Sequence, residues 1–375
     1  MIYLDNSATG GFKPASVIDS VGSAVKYLCA NPGRSAHKLS SIAFDRIYSS
    51  RQKLATYFNA PSPSRVAFTK NCTEALNIAV LGSDLKGEVI TSVFEHNSLL
   101  RPLHYLENKG DITLKIISPE NGRFVTKNDI IKNFSSKTSM VAITGASNVT
   151  GEASELEKIG AFLKSTKAIY LVDGAQAGGH IPIDFQEFGI DYLALACHKG
   201  LYSIMGLGAL IFSKKVEPKP LIFGGTGTET FNLSQPSVYP EKLEAGTLNL
   251  PAIISLEEGL NYLNSNGNFI GKYLGDLTEY LCQKLCEING ITVYTRKNTV
   301  GITAFSIKDY SSQEVSELLS KRYNIAVRGG FHCAPLTHEF LNTKERGLIR
   351  VSISPHNTKR EVNALISAVK EISLS

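Results

Sequence analysis

The chain has 375 residues, 43% of them apolar and 19% charged, a balance that excludes a disordered protein and, at this length, implies two domains. Lys and Arg outnumber Asp and Glu by 39 to 34 with no basic block, which argues against a nucleic-acid-binding surface. The start, Met-Ile-Tyr-Leu-Asp-Asn-Ser, lacks a secretory pattern and no stretch reaches the roughly 20 apolar residues that span a bilayer, so a cytoplasmic protein without a membrane partner is expected.

In chain order, short apolar runs alternate with amphipathic stretches through the first 250 residues, the pattern of a mainly parallel sheet with helices on both faces. Strands are predicted at Arg65 to Thr69, Glu88 to Thr91, Thr113 to Ile117, Met140 to Thr144, Ala168 to Val172, Tyr192 to Ala196 and Leu207 to Ile211. From Gly224 to Pro236 the chain reads as a Gly- and Thr-rich loop. After Pro251 the texture changes. Two helices are predicted, Ala252 to about Leu263 and Phe269 to Ile288, then strands at Ile291 to Tyr294 and Thr303 to Ile307. A helix from Gln313 to Arg322, a strand ending at Arg328, a strand from Leu348 to Ile353 and a helix from Lys359 follow. The fold class is α/β, with a large domain of residues 14–255 on a seven-stranded, mainly parallel sheet and a smaller α+β domain of residues 1–13 and 256–375.

Six cysteines (Cys29, Cys72, Cys197, Cys282, Cys286, Cys333) show no CxxC spacing, so neither a disulfide framework nor a metal site is expected. Cys282 and Cys286, one helical turn apart, read as small apolar residues on the inner face of a helix.

Chemistry gathers at the strand ends. Lys199 follows Leu193-Ala-Leu-Ala-Cys-His198 without a polar buffer, and desolvation there favours the free amine. Asp173 closes the apolar run Leu171-Val-Asp; alone it also fits a helix N-cap. A lysine to form an imine and a carboxylate to keep a pyridine nitrogen protonated are what an enzyme needs to use pyridoxal phosphate. Cys72-Thr73-Glu74 opens a helix after a strand, either a simple cap or a phosphate cradle. His96 follows another strand, as a structural hydrogen-bonder or as a ring stacked on the cofactor, and Asn148 is placed to reach a cofactor oxygen or a substrate carboxylate. All these loops are expected at the carboxyl edge of one sheet. Cys333, in Arg328-Gly-Gly-Phe-His-Cys-Ala-Pro335, is a candidate nucleophile, with Arg328 and His332 near enough in sequence to stabilise a thiolate. The cluster Gly224-Gly-Thr-Gly does not sit between a strand and a helix, so it is no dinucleotide fingerprint.

Tyr3-Leu-Asp-Asn-Ser-Ala-Thr, Thr73-Glu-Ala-Leu-Asn, Glu95-His, Ser147-Asn-Val-Thr-Gly, Val172-Asp-Gly-Ala-Gln, His198-Lys, Glu244-Ala-Gly-Thr-Leu-Asn, Arg328-Gly-Gly-Phe-His-Cys and Ile349-Arg-Val-Ser occur in the order seen in one family. The chain resembles the cysteine desulfurases of the class V branch of fold-type I aminotransferases nearly end to end, and around Cys333 it is similar to the group of Suf-type desulfurases and selenocysteine lyases. The resemblance implies that Lys199 carries pyridoxal phosphate, Asp173 meets the ring nitrogen, Gln176 the ring hydroxyl, and His96 stacks on the ring. It implies that Thr73, His198 and the backbone around Cys72 hold the phosphate, with Thr247 contributed from the partner of a homodimer. Arg350 would clamp the carboxylate of L-cysteine, assisted by Asn148 and with Arg328 near, while Cys333 takes the sulfur as a persulfide for an acceptor protein in iron–sulfur cluster or thiocofactor assembly.

This chain departs from the family at Ala196, where a hydroxyl is usual, at Cys72, in place of threonine, and at Phe331, often histidine. A selenocysteine lyase, a C–S β-lyase acting on a modified cysteine, and a catalytically silent sulfur carrier or scaffold stand as alternatives.

Overall fold

The computed structural model describes residues 1–28, 30–33, 35–120, 122 and 124–374, so Cys29 lies outside the described residues. The elements run β1 (Ile2–Tyr3), α1 (Ala15–Tyr27), α2 (Lys38–Tyr57), β2 (Val66–Thr69), α3 (Cys72–Leu81), β3 (Gly87–Ser92), α4 (Asn97–Asn108), β4 (Ile112–Ile117), α5 (Lys127–Asn133), β5 (Thr138–Thr144), α6 (Leu156–Leu163), β6 (Ile169–Asp173), β7 (Tyr192–Ala196) and β8 (Gly208–Phe212). They continue with α7 (Leu250–Cys286), β9 (Ile291–Val293), β10 (Ile302–Ile307), α8 (Ser312–Tyr323), β11 (Ile325–Ala326), β12 (Arg328–Gly330), α9 (Pro335–Phe340), β13 (Leu348–Ser352) and α10 (Lys359–Leu374).

The seven predicted strands form one sheet in the order β2-β8-β7-β6-β5-β3-β4, in which β8 alone runs antiparallel to its neighbours. The other six therefore end at the same edge. Side chains alternate across the sheet: Leu193 and Leu195 enter one apolar core while Tyr192, Ala194 and Ala196 enter the other. Both faces are buried, which is why these strands read as continuous apolar runs.

The smaller sheet is antiparallel, β12-β13-β10-β9, and β1 pairs in parallel with β11, so the first residues of the chain lie beside its last third. No helix among the described residues is long and apolar enough to cross a membrane.

Two expectations need correction. Between Leu250 and Cys286 there is one 37-residue helix rather than two. The polar stretch Asn264-Ser-Asn-Gly-Asn268 stays helical because Leu260, Leu263, Ile270 and Leu274 on either side are all buried, and because Asn266 Nδ2 and Ser265 Oγ bond back to the carbonyls of Tyr262 (2.9 Å) and Asn261 (3.2 Å). Packing outweighs a propensity deficit of about 1 kcal/mol at the glycine. Second, Cys282 is buried, with Sγ 3.8 Å from Thr303 Oγ1, but Cys286 is exposed, since the helix ends there beyond the core.

Candidate active site

Five loops leave the carboxyl edge of the large sheet and line one cavity. From β2 come Asn71, Cys72 and Thr73; from β3, His96 and Ser98; from β5, Ala146 and Asn148; from β6, Asp173 and Gln176; from β7, His198 and Lys199. The cavity has a volume of about 120 Å³.

Asp173 ends β6 and pairs in register with Thr144 and Ala194 of the flanking strands, which sets it on the cavity floor. It is 3% exposed, and its Oδ1 accepts from the amide of Ala175 (2.9 Å) and from the Cys72 thiol (3.6 Å). Burial, then the Asp173 charge, pushes the Cys72 thiol well up, so it stays protonated as a donor.

Lys199 follows β7. Burial, then the charge of Arg350, depresses its amine, and Nζ makes no hydrogen bond or ion pair among the described residues. The turn beyond it is tight: a Cβ on Gly200 would lie 2.3 Å from the carbonyl of Gly178, so only glycine fits. His198 is held by Thr9 Oγ1 at 3.0 Å, and burial with the charges of Lys199 and Lys13 brings its imidazole down to about 4.

His96 caps α4. The Ser98 amide donates to its Nδ1 at 3.0 Å, which puts the ring proton on Nε2, and burial lowers its pKa, so the imidazole is neutral. Asn71 caps α3 by accepting from the Glu74 amide (2.9 Å), and the Cys72 and Thr73 amides, in the first turn, are left without intrahelical acceptors. Thr73 is exposed and its hydroxyl lies 2.9 Å from Ser98 Oγ.

The resemblance implied ligand contacts for Gln176 and Arg350; the structure gives both protein partners. Gln176 Nε2 donates to the carbonyl of Ser7 (3.1 Å), tying the N-terminal segment to the cavity wall. Arg350, 1% exposed, donates from Nη2 to Asp5 Oδ1 (2.9 Å) and from Nη1 to the carbonyl of Asn148 (3.0 Å), leaving Nε without a partner. Arg328 is half-buried, and its guanidinium makes no hydrogen bond or ion pair among the described residues. Its charge is sensed by Lys199 and His96.

Cys333 does not line the cavity. It is exposed, on the turn between β12 and α9. His332 beside it is 2% exposed, its Nε2 lies 3.1 Å from the carbonyl of Leu348, and burial, then Arg350, drives its pKa well below the usual value. A neutral ring provides no cation, so the expected thiolate stabilisation by His332 does not hold. Thr247 is not in this cavity either; it is exposed in a separate groove with Phe68, Lys70, Gly206 and Glu244.

Three residues escaped sequence reasoning. Asp5, inside the quoted N-terminal motif, pairs with Arg350 across 345 positions. Arg51 forms a two-pronged pair with Glu244 (2.6 and 2.9 Å), each side chain 7% exposed, and Glu244 also accepts from the Phe68 amide (2.6 Å), which fixes the start of the Glu244-Ala-Gly-Thr247 segment. Glu95, next to His96, is fully buried.

A mainly parallel seven-stranded sheet with an unpaired amine and a buried carboxylate facing one cavity at its carboxyl edge is the architecture of fold-type I pyridoxal phosphate enzymes. The residues fit that cofactor: an amine lowered in pKa by burial for its aldehyde, an acid for its ring nitrogen, and a helix N-terminus for its phosphate. The profile of the aminotransferase class-V family matches residues 2–365. A probable cysteine desulfurase of Methanothermobacter thermautotrophicus is 33% identical across 99% of this chain and 94% of its own length. A cysteine desulfurase of Escherichia coli O7:K1 is 31% identical across 99% of this chain and 93% of its own. The apo structure of the cysteine desulfurase from Thermococcus onnurineus superposes with a TM-score of 0.92 at 28% identity, covering 100% of this chain and 94% of that one. This chain belongs to the class-V aminotransferase family and, within it, to the cysteine desulfurases.

Proposed function

We propose that the protein is a pyridoxal phosphate-dependent cysteine desulfurase that converts L-cysteine to L-alanine and leaves the sulfur on Cys333. The observation that carries this reading is the juxtaposition of the Lys199 amine, depressed by burial, and the Asp173 carboxylate in one cavity. Lys199 would bind the cofactor and Asp173 its ring nitrogen; His96 would lie against its face, with Gln176 and Asn148 toward its hydroxyl. Thr73, His198 and the Cys72 and Thr73 amides would hold its phosphate.

When bound, pyridoxal phosphate supplies an electron sink for the carbon that loses its proton. The Lys199 amine, held below its usual pKa by burial, is the base within the cavity for that proton. Arg350 and Arg328 bring positive charge to the substrate carboxylate, and Asp5 and Asn148 hold the Arg350 guanidinium in place. The Cys333 sulfur attacks the sulfur of the substrate. An S–S bond forms, the C–S bond breaks with its electron pair left on the β carbon, a proton is delivered there, and the proton taken by Lys199 returns to the α carbon to complete L-alanine while Cys333 keeps the persulfide.

Further parts of the reading rest on surface features. Thr247 is exposed on a loop fixed by the Arg51–Glu244 pair, and the preceding segment exposes Phe223 (70%), Phe231 (100%) and Leu233 (102%). We read this as the contact surface of a homodimer in which Thr247 reaches the phosphate site of the partner. The exposed Cys333 would hand its sulfur to an acceptor protein in iron–sulfur cluster or thiocofactor assembly, in the reducing setting of the cytoplasm. The return of residues 1–13 to the smaller unit is supported by the β1–β11 pairing, while the division at 255/256 falls within the continuous helix α7.

The purified protein should be yellow, lose that absorbance with borohydride, and release alanine and sulfide from L-cysteine. Lys199→Ala should abolish colour and turnover, whereas Cys333→Ala should keep the colour and stop sulfide release from cysteine. A colourless protein indifferent to added pyridoxal phosphate would end this reading.

A further inference from the structure

The turn that carries Cys333 is strained and is held from outside itself. His332 and Cys333 have φ of 50° and 56°, two successive non-glycine residues in the left-handed region. That conformation is unfavourable for non-glycine residues and persists only where surrounding contacts over-determine it. An exposed cysteine on a short turn would otherwise relax.

The restraints come from two loops of the cofactor cavity. The carbonyl of His332 accepts from Asn148 Nδ2 at 2.7 Å, and the carbonyl of Cys333 accepts from the amide of Asn97 at 2.8 Å. Asn97 is the neighbour of His96, and Asn148 lines the cavity at 8% exposure. Further anchors are His332 Nε2 on the carbonyl of Leu348 (3.1 Å), the Ala334 amide on Phe331 (3.0 Å), and Thr337 Oγ1 on the carbonyl of Val93 (2.9 Å). Of these, the Asn148 contact is the one made by a side chain that also faces the cavity.

We propose that Asn148 is a positioning residue for the nucleophile: its carboxamide, together with the Asn97 amide, clamps the His332-Cys333 turn to the rim of the cofactor cavity and so fixes where the Cys333 sulfur stands. Because the carbonyl of Asn148 also accepts from Arg350 Nη1 at 3.0 Å, the same residue ties the guanidinium to the turn. This role rests on the desulfurase reading for its chemistry, but the clamp itself is a property of the protein alone.

The test uses the full-length holoenzyme with Asn148→Ala and with Asn148→Asp, the latter nearly isosteric but offering an oxygen where the donor stood. Amide hydrogen exchange is followed in the peptide spanning residues 331–336, and persulfide on Cys333 is measured by mass spectrometry after one mixing with L-cysteine. Both variants should exchange that peptide roughly threefold to tenfold faster, the worth of one net hydrogen bond. Persulfide formation should slow by at least that factor. Asn148→Gln, which keeps the donor, should recover part of the protection. Exchange at 331–336 equal to wild type in both the Ala and Asp variants, with any defect confined to cofactor absorbance or L-cysteine affinity, would overturn the clamp. Absence of persulfide from the wild-type protein would count instead against the desulfurase reading, and the exchange data would still decide the clamp.

Discussion

Replacing Glu95 by Gln should make the stability of the protein less sensitive to rising pH, by an amount its surroundings set. Glu95 is 0% exposed; its Oε1 accepts from Ser92 Oγ at 2.5 Å, and Oε2 has no partner. Burial, with a smaller push from the Asp173 charge, takes its carboxyl up from 4.5 to about 8, so the folded protein holds the proton at neutral pH. A raised acid binds more protons folded than unfolded. Its contribution is therefore complete below the unfolded value of 4.5 and is lost as the pH climbs through about 8. Integrated from pH 5 to pH 7, the loss is on the order of 2.5 kcal/mol. Glu95→Gln keeps the shape and does not titrate, so the stability difference between variant and wild type should move by that amount in favour of Gln over this interval. Urea unfolding of both proteins at the two pH values measures it, and effects of buried histidines and of the cofactor cancel in the comparison. A difference that stays constant to within roughly 0.5 kcal/mol would show that Glu95 is ionised in the folded state, and would refute the reasoning.

Arg51→Ala leaves the Glu244 carboxylate buried without its partner and should cost about 3 to 5 kcal/mol in urea unfolding; a loss below about 1 kcal/mol would mean that water screens the pair. Gly267→Ala, inside α7 with nothing within 4 Å of the new Cβ, should stabilise by about 0.5 to 1 kcal/mol and raise the thermal midpoint, whereas a chain broken at Asn264–Asn268 would gain nothing. Cys72→Ser should preserve donation to Asp173 and cofactor binding, while Cys72→Ala removes the donor and should weaken cofactor retention severalfold in a dialysis assay.

The sequence by itself determined the large sheet and the identity of most cavity-lining residues. Apolar runs such as Tyr192-Leu-Ala-Leu-Ala196 are buried on both sheet faces, so their pattern is local and readable, and a parallel sheet must deliver its following loops to one edge. Asp173, Lys199, His96, Cys72 and Asn148 meet for that reason. What only the tertiary structure decided are the pairings of residues distant in sequence. Asp5 on Arg350, Ser7 on Gln176, Arg51 on Glu244 and Asn148 on the His332 carbonyl join positions separated by 345, 169, 193 and 184 residues, and no local pattern encodes them. The same holds for α7, where Asn and Gly locally signal a break and burial of Leu260, Leu263, Ile270 and Leu274 carries the helix through. Backbone periodicity fixes which side chains reach the edge of the sheet; packing of the smaller sheet against that edge fixes which hydrogen bonds they make and hence where the sulfur of Cys333 is held.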